Sequence, residues 1–201
     1  MKQFLSKNLA VPLIAYVTVI TVIIVSRTAI SREYALLLSA GVMLWVPFLL
    51  DRHSANVLRF ELRGLLRGTG ISLAVLFGYL VCLYLLSSYL GKTVKFTEPT
   101  ALFVFTHLVA IAFPEEFFFR GYIQRTLGGG WSAIIAASVL FALAHLLVIC
   151  VFAGGGVCGQ NTLTFFPSLV MGYLYMRTGT IWSSVFFHFA ANIVYLSFRL
   201  I

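Results

Sequence analysis

The sequence predicts an all-α fold, a polytopic transmembrane helix bundle of about seven spans. Three observations predict it. Of 201 residues, 61% are apolar and 10% are charged, whereas a soluble domain carries about 25% charged residues. The charged residues sit between long apolar runs, several of which reach the roughly 17–25 residues of a membrane-crossing helix. The runs are continuous and do not alternate with period two, which argues against a barrel. The same composition excludes disorder. The net charge of +8 forms no stripe or patch, so no nucleic-acid partner is expected. The expected partner is the lipid bilayer.

The spans follow from the gaps between charges. Asn8–Ser26 is a run of 19 uncharged residues, Tyr34–Leu50 one of 17, and Gly68–Gly91 one of 24. A fourth run starts near Pro99 and passes two glutamates before Phe119. The next 51 residues, Thr126–Met176, hold no Asp, Glu, Lys or Arg. That is too long for one span, and the turn-rich Ala153–Asn161 divides it. Two spans result, near Trp131–Phe152 and Thr162–Met176, and the last is Thr178–Phe198. Lys2 and Lys7 precede an apolar run too long for a signal-peptide core, so the first run reads as an uncleaved span. The whole chain, 1–201, reads as one integral membrane domain.

Ser54–Arg67 sets leucines against Arg59, Arg63 and Arg67, a pattern that predicts an amphipathic segment along the membrane surface, with a solvated loop as the alternative. With the N-terminus inside, nine basic residues fall on inner segments and five on outer ones. The excess predicts a multi-pass cell-membrane protein with a cytoplasmic N-terminus and an outer C-terminus. Cys150 and Cys158 flank the outer glycine-rich loop and have the option of pairing, but free thiols are the expectation.

Ionisable groups inside spans are expensive and therefore candidates for function. Two adjacent acids follow Pro114 in span four. Glu116 and Arg120 are four apart on one helix face and can pair. Glu115 lies about 100° round the helix and is left to face something else. His145 stands in span five. His188 and Asn192, four apart, share a face of span seven. At 1.5 Å per residue, Glu115, His188 and His145 lie about 13, 14 and 21 Å from helix ends on the same side. A carboxylate, two imidazoles and an amide can therefore converge, and together they form an active-site inventory. His107 sits about 12 Å up the axis from Glu115 and off its face, as a packing residue would.

These residues carry a resemblance. Glu115–Arg120 reads EEFFFR, Phe141–His145 reads FALAH and His188–Asn192 reads HFAAN. In order and spacing they resemble the EExxxR, FxxxH and HxxxN motifs of the CPBP family, the CAAX-protease and bacteriocin-processing intramembrane peptidases. The resemblance covers Thr100–Phe198, a catalytic core of about 100–198. It implies an endopeptidase in which Glu115 activates a water beside His145, while His188 and Asn192 stabilise the oxyanion. Glu116, Arg120 and Phe141 then support the site. The implied substrate is a membrane-anchored or lipidated peptide or protein, cut near its end. Candidates are prenylated CAAX tails, bacteriocin-like peptides and C-terminal sorting tags.

Such peptidases are described both as metalloproteases and as glutamic peptidases. Glu115, His145 and His188 are zinc-ligand types, with Asn192 a poor fourth. No HExxH platform is present. The expectation is a metal-free glutamate mechanism with no cofactor, with zinc as the alternative. Two other classes remain open. A proton-coupled transporter would place polar groups along a whole crossing path. A non-catalytic immunity or scaffold protein would be favoured by loss of a motif residue, and all are present.

Overall fold

The computed structural model describes residues 9–128, 130–153 and 163–201. The chain is a helical bundle. Helix α1 is Ala10–Ala29, α2 is Arg32–Leu50 and α3 is Leu62–Tyr89. A long helix, α4, covers Ala101–Leu127. Then come α5 (Trp131–Ala153), α6 (Phe165–Thr178) and α7 (Trp182–Ser197). Among the described residues, α1 to α5 are long and apolar enough to cross a membrane. Helices α6 and α7 have 14 and 16 residues, about 21 and 24 Å at 1.5 Å per residue. Both are shorter than a hydrocarbon core of about 30 Å, so length and composition give five candidate spans among the described residues and leave the count of seven open.

Hydrogen bonds group the connections at two ends of the bundle. At one end, Arg125 Nη2 donates to Asp51 Oδ2 at 2.6 Å, and Trp182 Nε1 donates to the Leu58 carbonyl at 2.9 Å. At the other end, β1 (Val94–Phe96) pairs antiparallel with β2 (Phe198–Leu200), and the Thr97 N–H donates to the Ser197 carbonyl at 2.8 Å. Helices α3, α4 and α7 therefore run between the same two ends. The small sheet was not legible as a strand pattern, being only three residues per strand.

The segment expected along the surface is built differently. Arg52–Leu58 is a short 3₁₀ helix, with Ser54 and Val57 buried. Arg63 and Arg67 already belong to α3. Small residues explain the contact of α3 with α7. Gly64, Gly68 and Ser72 recur every fourth position and share a face. A Cβ on Gly68 would overlap the Ser183 side chain, and Ser183 Oγ donates to the Gly64 carbonyl at 3.2 Å. Small-residue faces of this kind let membrane helices approach closely. Much of the rest of α3 is exposed, with Leu73, Phe77 and Leu85 on its surface, as suits a helix bathed in lipid.

The core lies around α4. Phe118, Phe119, Tyr122 and Ile123 pack with Val19 of α1, Phe141 of α5, Leu174 of α6 and Phe187 of α7. Tyr16 of α1 donates to the Leu140 carbonyl at 2.8 Å and meets the Phe119 ring edge-on. The helix carrying the acid pair is thus enclosed by helices from both halves of the chain. Helix α4 ends at Gly128, φ +115°, and α6 at Gly179, φ +70°, left-handed positions that glycine adopts at little cost.

Cys150 is disulfide-bonded, against the expectation of a free thiol there. Cys158 lies outside the described residues, as does most of the Ala153–Asn161 loop. Cys82 is free and exposed.

Candidate active site

Thr100 caps the start of α4, its hydroxyl accepting from the Phe103 N–H at 3.2 Å. The helix then widens into π-type turns over His107–Ala112 and again over Phe117–Gln124. The α-helical turn Phe113–Glu116, with Pro114 and both glutamates, lies between them. Pro114 has no N–H to give the ladder, and π turns inside α-helices recur at functional sites.

Glu116 and Arg120 are fully buried and paired, with Arg120 Nη1 2.9 Å from Glu116 Oε1. The other guanidinium nitrogen reaches α6, donating to the Ser168 carbonyl at 3.1 Å and the Ser168 hydroxyl at 2.6 Å. Arg120 also lies over the Phe141 ring, 4.8 Å from its centroid, a cation–π contact in a dry setting. Spacing predicted the pair; nothing local in the sequence pointed to Ser168.

Glu115 turns away from Arg120 to the histidines. Its Oε2 atom stands 3.8 Å from His145 Nε2 and 3.8 Å from His188 Nε2. Each imidazole is held at its other nitrogen. His145 Nδ1 lies 2.9 Å from the Phe141 carbonyl, one turn back. His188 Nδ1 lies 2.9 Å from Glu116 Oε1, the oxygen that also takes Arg120. A carbonyl or an ionised carboxylate only accepts, so Nδ1 carries the proton in both rings. Both Nε2 atoms therefore face Glu115.

Three helices, α4, α5 and α7, thus bring one carboxylate oxygen and two imidazoles together. Residues 97–194 match the model of the Type II CAAX prenyl endopeptidase Rce1-like family. This segment, 98 of the 201 residues, is similar to that family. No curated protein and no solved structure matches it. The Rce1-like family is one of membrane proteases, and the match points to intramembrane endopeptidase activity. The long apolar helices fit a multi-pass membrane setting. The Rce1-like segment runs from the approach to α4 into α7, and α1, α2 and α3 lie outside it.

The Rce1-like motifs have distinct local roles. Phe141 is the hub of the site. Its carbonyl anchors His145, and its ring lies 4.3 Å from the His145 ring and 5.8 Å, edge-on, from His188. Asn192 follows His188 by one turn of α7. His107 stands apart, stacked on Phe103 at 3.8 Å with Nδ1 2.9 Å from the Phe103 carbonyl.

Access is restricted but present. The Glu115 and His145 side chains are 16% and 28% exposed, and His188 only 6%. Two grooves of about 450 and 370 Å³ flank the bundle. The larger, between α3, α4 and α7, is lined by Leu76, Phe77, Val104, Phe189 and Ile193. Both are apolar, and neither is lined by Glu115, His145 or His188. As for zinc, among the described residues no cluster of three His, Cys, Asp or Glu side chains is suited to hold a metal ion.

Proposed function

We propose that the chain is an intramembrane endopeptidase in which Glu115 is the general base, assisted by His145, with His188 and Asn192 stabilising the oxyanion. One observation supports this most. Glu115 Oε2 is buried, accepts no hydrogen bond from the described residues, and faces Nε2 of two anchored imidazoles. Buried acceptors without a donor are rare and call for an explanation. Atoms 3.8 Å apart can both bond one water at about 2.8 Å.

In the proposed reaction the water oxygen attacks the scissile carbonyl carbon as its proton passes to Glu115. The carbonyl electrons move onto oxygen, where His188 and Asn192 donate. As the intermediate collapses, the C–N bond breaks and the proton held by Glu115 passes to the leaving nitrogen. The products are a carboxylic acid and an amine. Residues of this chain supply every proton transfer, and the proposal includes no metal or cofactor.

The proposed substrate is a membrane-anchored or lipidated polypeptide, cut near its end. The family's name points to prenylated C-terminal tails, and a site enclosed by apolar helices suits a substrate already in the membrane. We place the N-terminus in the cytoplasm and the C-terminus outside, on the nine-to-five distribution of basic residues. The test is cleavage of a lipidated peptide by the purified protein in vesicles, with product termini read by mass spectrometry. One internal cut is expected. Intact peptide with folded protein, across prenylated and acylated peptides, contradicts the reading.

A further inference from the structure

We propose that Glu116 is a positioning residue for His188: it decides which ring nitrogen His188 presents to the reaction and allows that nitrogen to donate. The inference rests on the peptidase reading above. The ring of His188 meets Glu116 Oε1 at Nδ1, 2.9 Å away, Glu115 Oε2 at Nε2, 3.8 Å away, and the edge of Phe141. Glu116 itself is fully buried, so it acts through His188.

The hydrogen-bond arithmetic forces a choice. With Nδ1–H committed to Glu116, a neutral His188 has only a lone pair at Nε2. A lone pair cannot donate to an oxyanion. His188 therefore serves as a donor only with a proton on both nitrogens. A buried carboxylate at Nδ1 holds the ring orientation and stabilises that doubly protonated form, as in hydrolase triads. His145 has a different anchor. Its Nδ1–H goes to the Phe141 carbonyl, a neutral partner that leaves Nε2 an acceptor. The two anchors thus divide the labour: His145 faces the water with a lone pair, and His188 faces the oxyanion with a proton.

The remaining contacts keep Glu116 in place. Arg120 bonds the same Oε1 and is itself fixed on Ser168 and Phe141. The charges then close. Glu115 and Glu116 are negative, while Arg120 and doubly protonated His188 are positive. A neutral cluster is the form a low-dielectric bundle tolerates best.

The test uses the full-length protein in lipid nanodiscs, labelled with 15N-histidine and assigned with a His188→Gln sample. In the wild type both His188 ring nitrogens should carry protons at neutral pH. Glu116→Gln keeps an oxygen for Arg120 and for Nδ1–H, so it should fold while losing the charge. In that variant His188 should fall to one ring proton, and kcat should drop about 10²-fold, the scale of one oxyanion donor, with KM changed less than twofold. A wild-type His188 with one ring proton overturns the proposal without any variant. So does a Glu116→Gln protein with unchanged His188 resonances and unchanged kcat. Failure of the peptidase reading looks different: the folded wild type then leaves the lipidated peptide intact, whatever the His188 spectrum shows.

Discussion

Glu116 and His188, 72 residues apart, meet in a buried 2.9 Å hydrogen bond through the same carboxylate oxygen that binds Arg120. The second acid of the pair is therefore part of the histidine's environment as well as a counter-ion. It ties α4 to α7, and Arg120 ties both to α6 through Ser168. Removing the Glu116 side chain would leave a buried guanidinium without its partner, a change that typically costs about 3–5 kcal/mol.

The contact of α3 with α7 should be sensitive to a single methyl group. Gly68→Ala would drive its Cβ into Ser183, whereas a Cβ on Gly70, two residues on, meets nothing within 4 Å. Gly68→Ala should lower stability by about 1–3 kcal/mol, and Gly70→Ala should be neutral or slightly stabilising. Thermal unfolding of the two purified variants checks this. Equal melting temperatures would show that the helices separate at no cost.

Asp51, just beyond α2, should contribute stability with a defined pH dependence. Burial pushes its carboxyl up, but the His53 N–H and the Arg125 guanidinium outweigh this and hold it below its ordinary value of 3.8. A carboxyl whose folded value is depressed stabilises the fold above the unfolded value, and the contribution is lost as pH falls through the folded one. Asp51→Asn should therefore cost up to about 1 kcal/mol at pH 7. Its difference from the wild type should stay constant down to about pH 5 and vanish below the carboxylate range. A difference that grows on acidification would contradict the assignment.

A metal-free mechanism and a zinc mechanism diverge at Asn192. A donor to an oxyanion is worth about 10²–10³ in rate, and a carboxylate in its place repels the charge. Asn192→Asp should therefore lose at least about 10²-fold in kcat, while wild-type activity survives strong chelation. An active Asn192→Asp enzyme that chelators silence would establish zinc instead, because carboxylate is the better ligand.

The proposed topology is checked with reporters fused after Ile201 and inserted near Arg59. The first should lie outside and the second in the cytoplasm. A cytoplasmic C-terminus would mean that α6 and α7 do not each cross.

Much of the site was legible because it depends on helical spacing. Glu116 and Arg120 are four apart and do pair, and charge-free gaps mark the helices that carry the acids and the histidines. Convergence of Glu115, His145 and His188 followed from axial rise along helices of known polarity. What escaped depends on the third dimension. Ser168 looks like any serine in an apolar helix, and only packing of α6 on α4 brings it to Arg120. The bond from Glu116 to His188 crosses from α4 to α7, and no spacing within one helix reports it. The stripe of Gly64, Gly68 and Ser72 escaped too, because Arg63 and Arg67 beside it read as part of a surface segment. Those arginines occupy the first turns of α3, and the stripe faces α7.

The most direct measurement is turnover by purified Glu115→Gln protein, beside the wild type, on a lipidated peptide in vesicles. Glutamine keeps the shape and the packing on α5 and α7 but cannot take a proton from water. The account predicts a folded protein, with a melting temperature near that of the wild type, whose cleavage rate is lower by at least about 10²-fold, the low end of general-base catalysis. A folded Glu115→Gln protein that cleaves at the wild-type rate would contradict it.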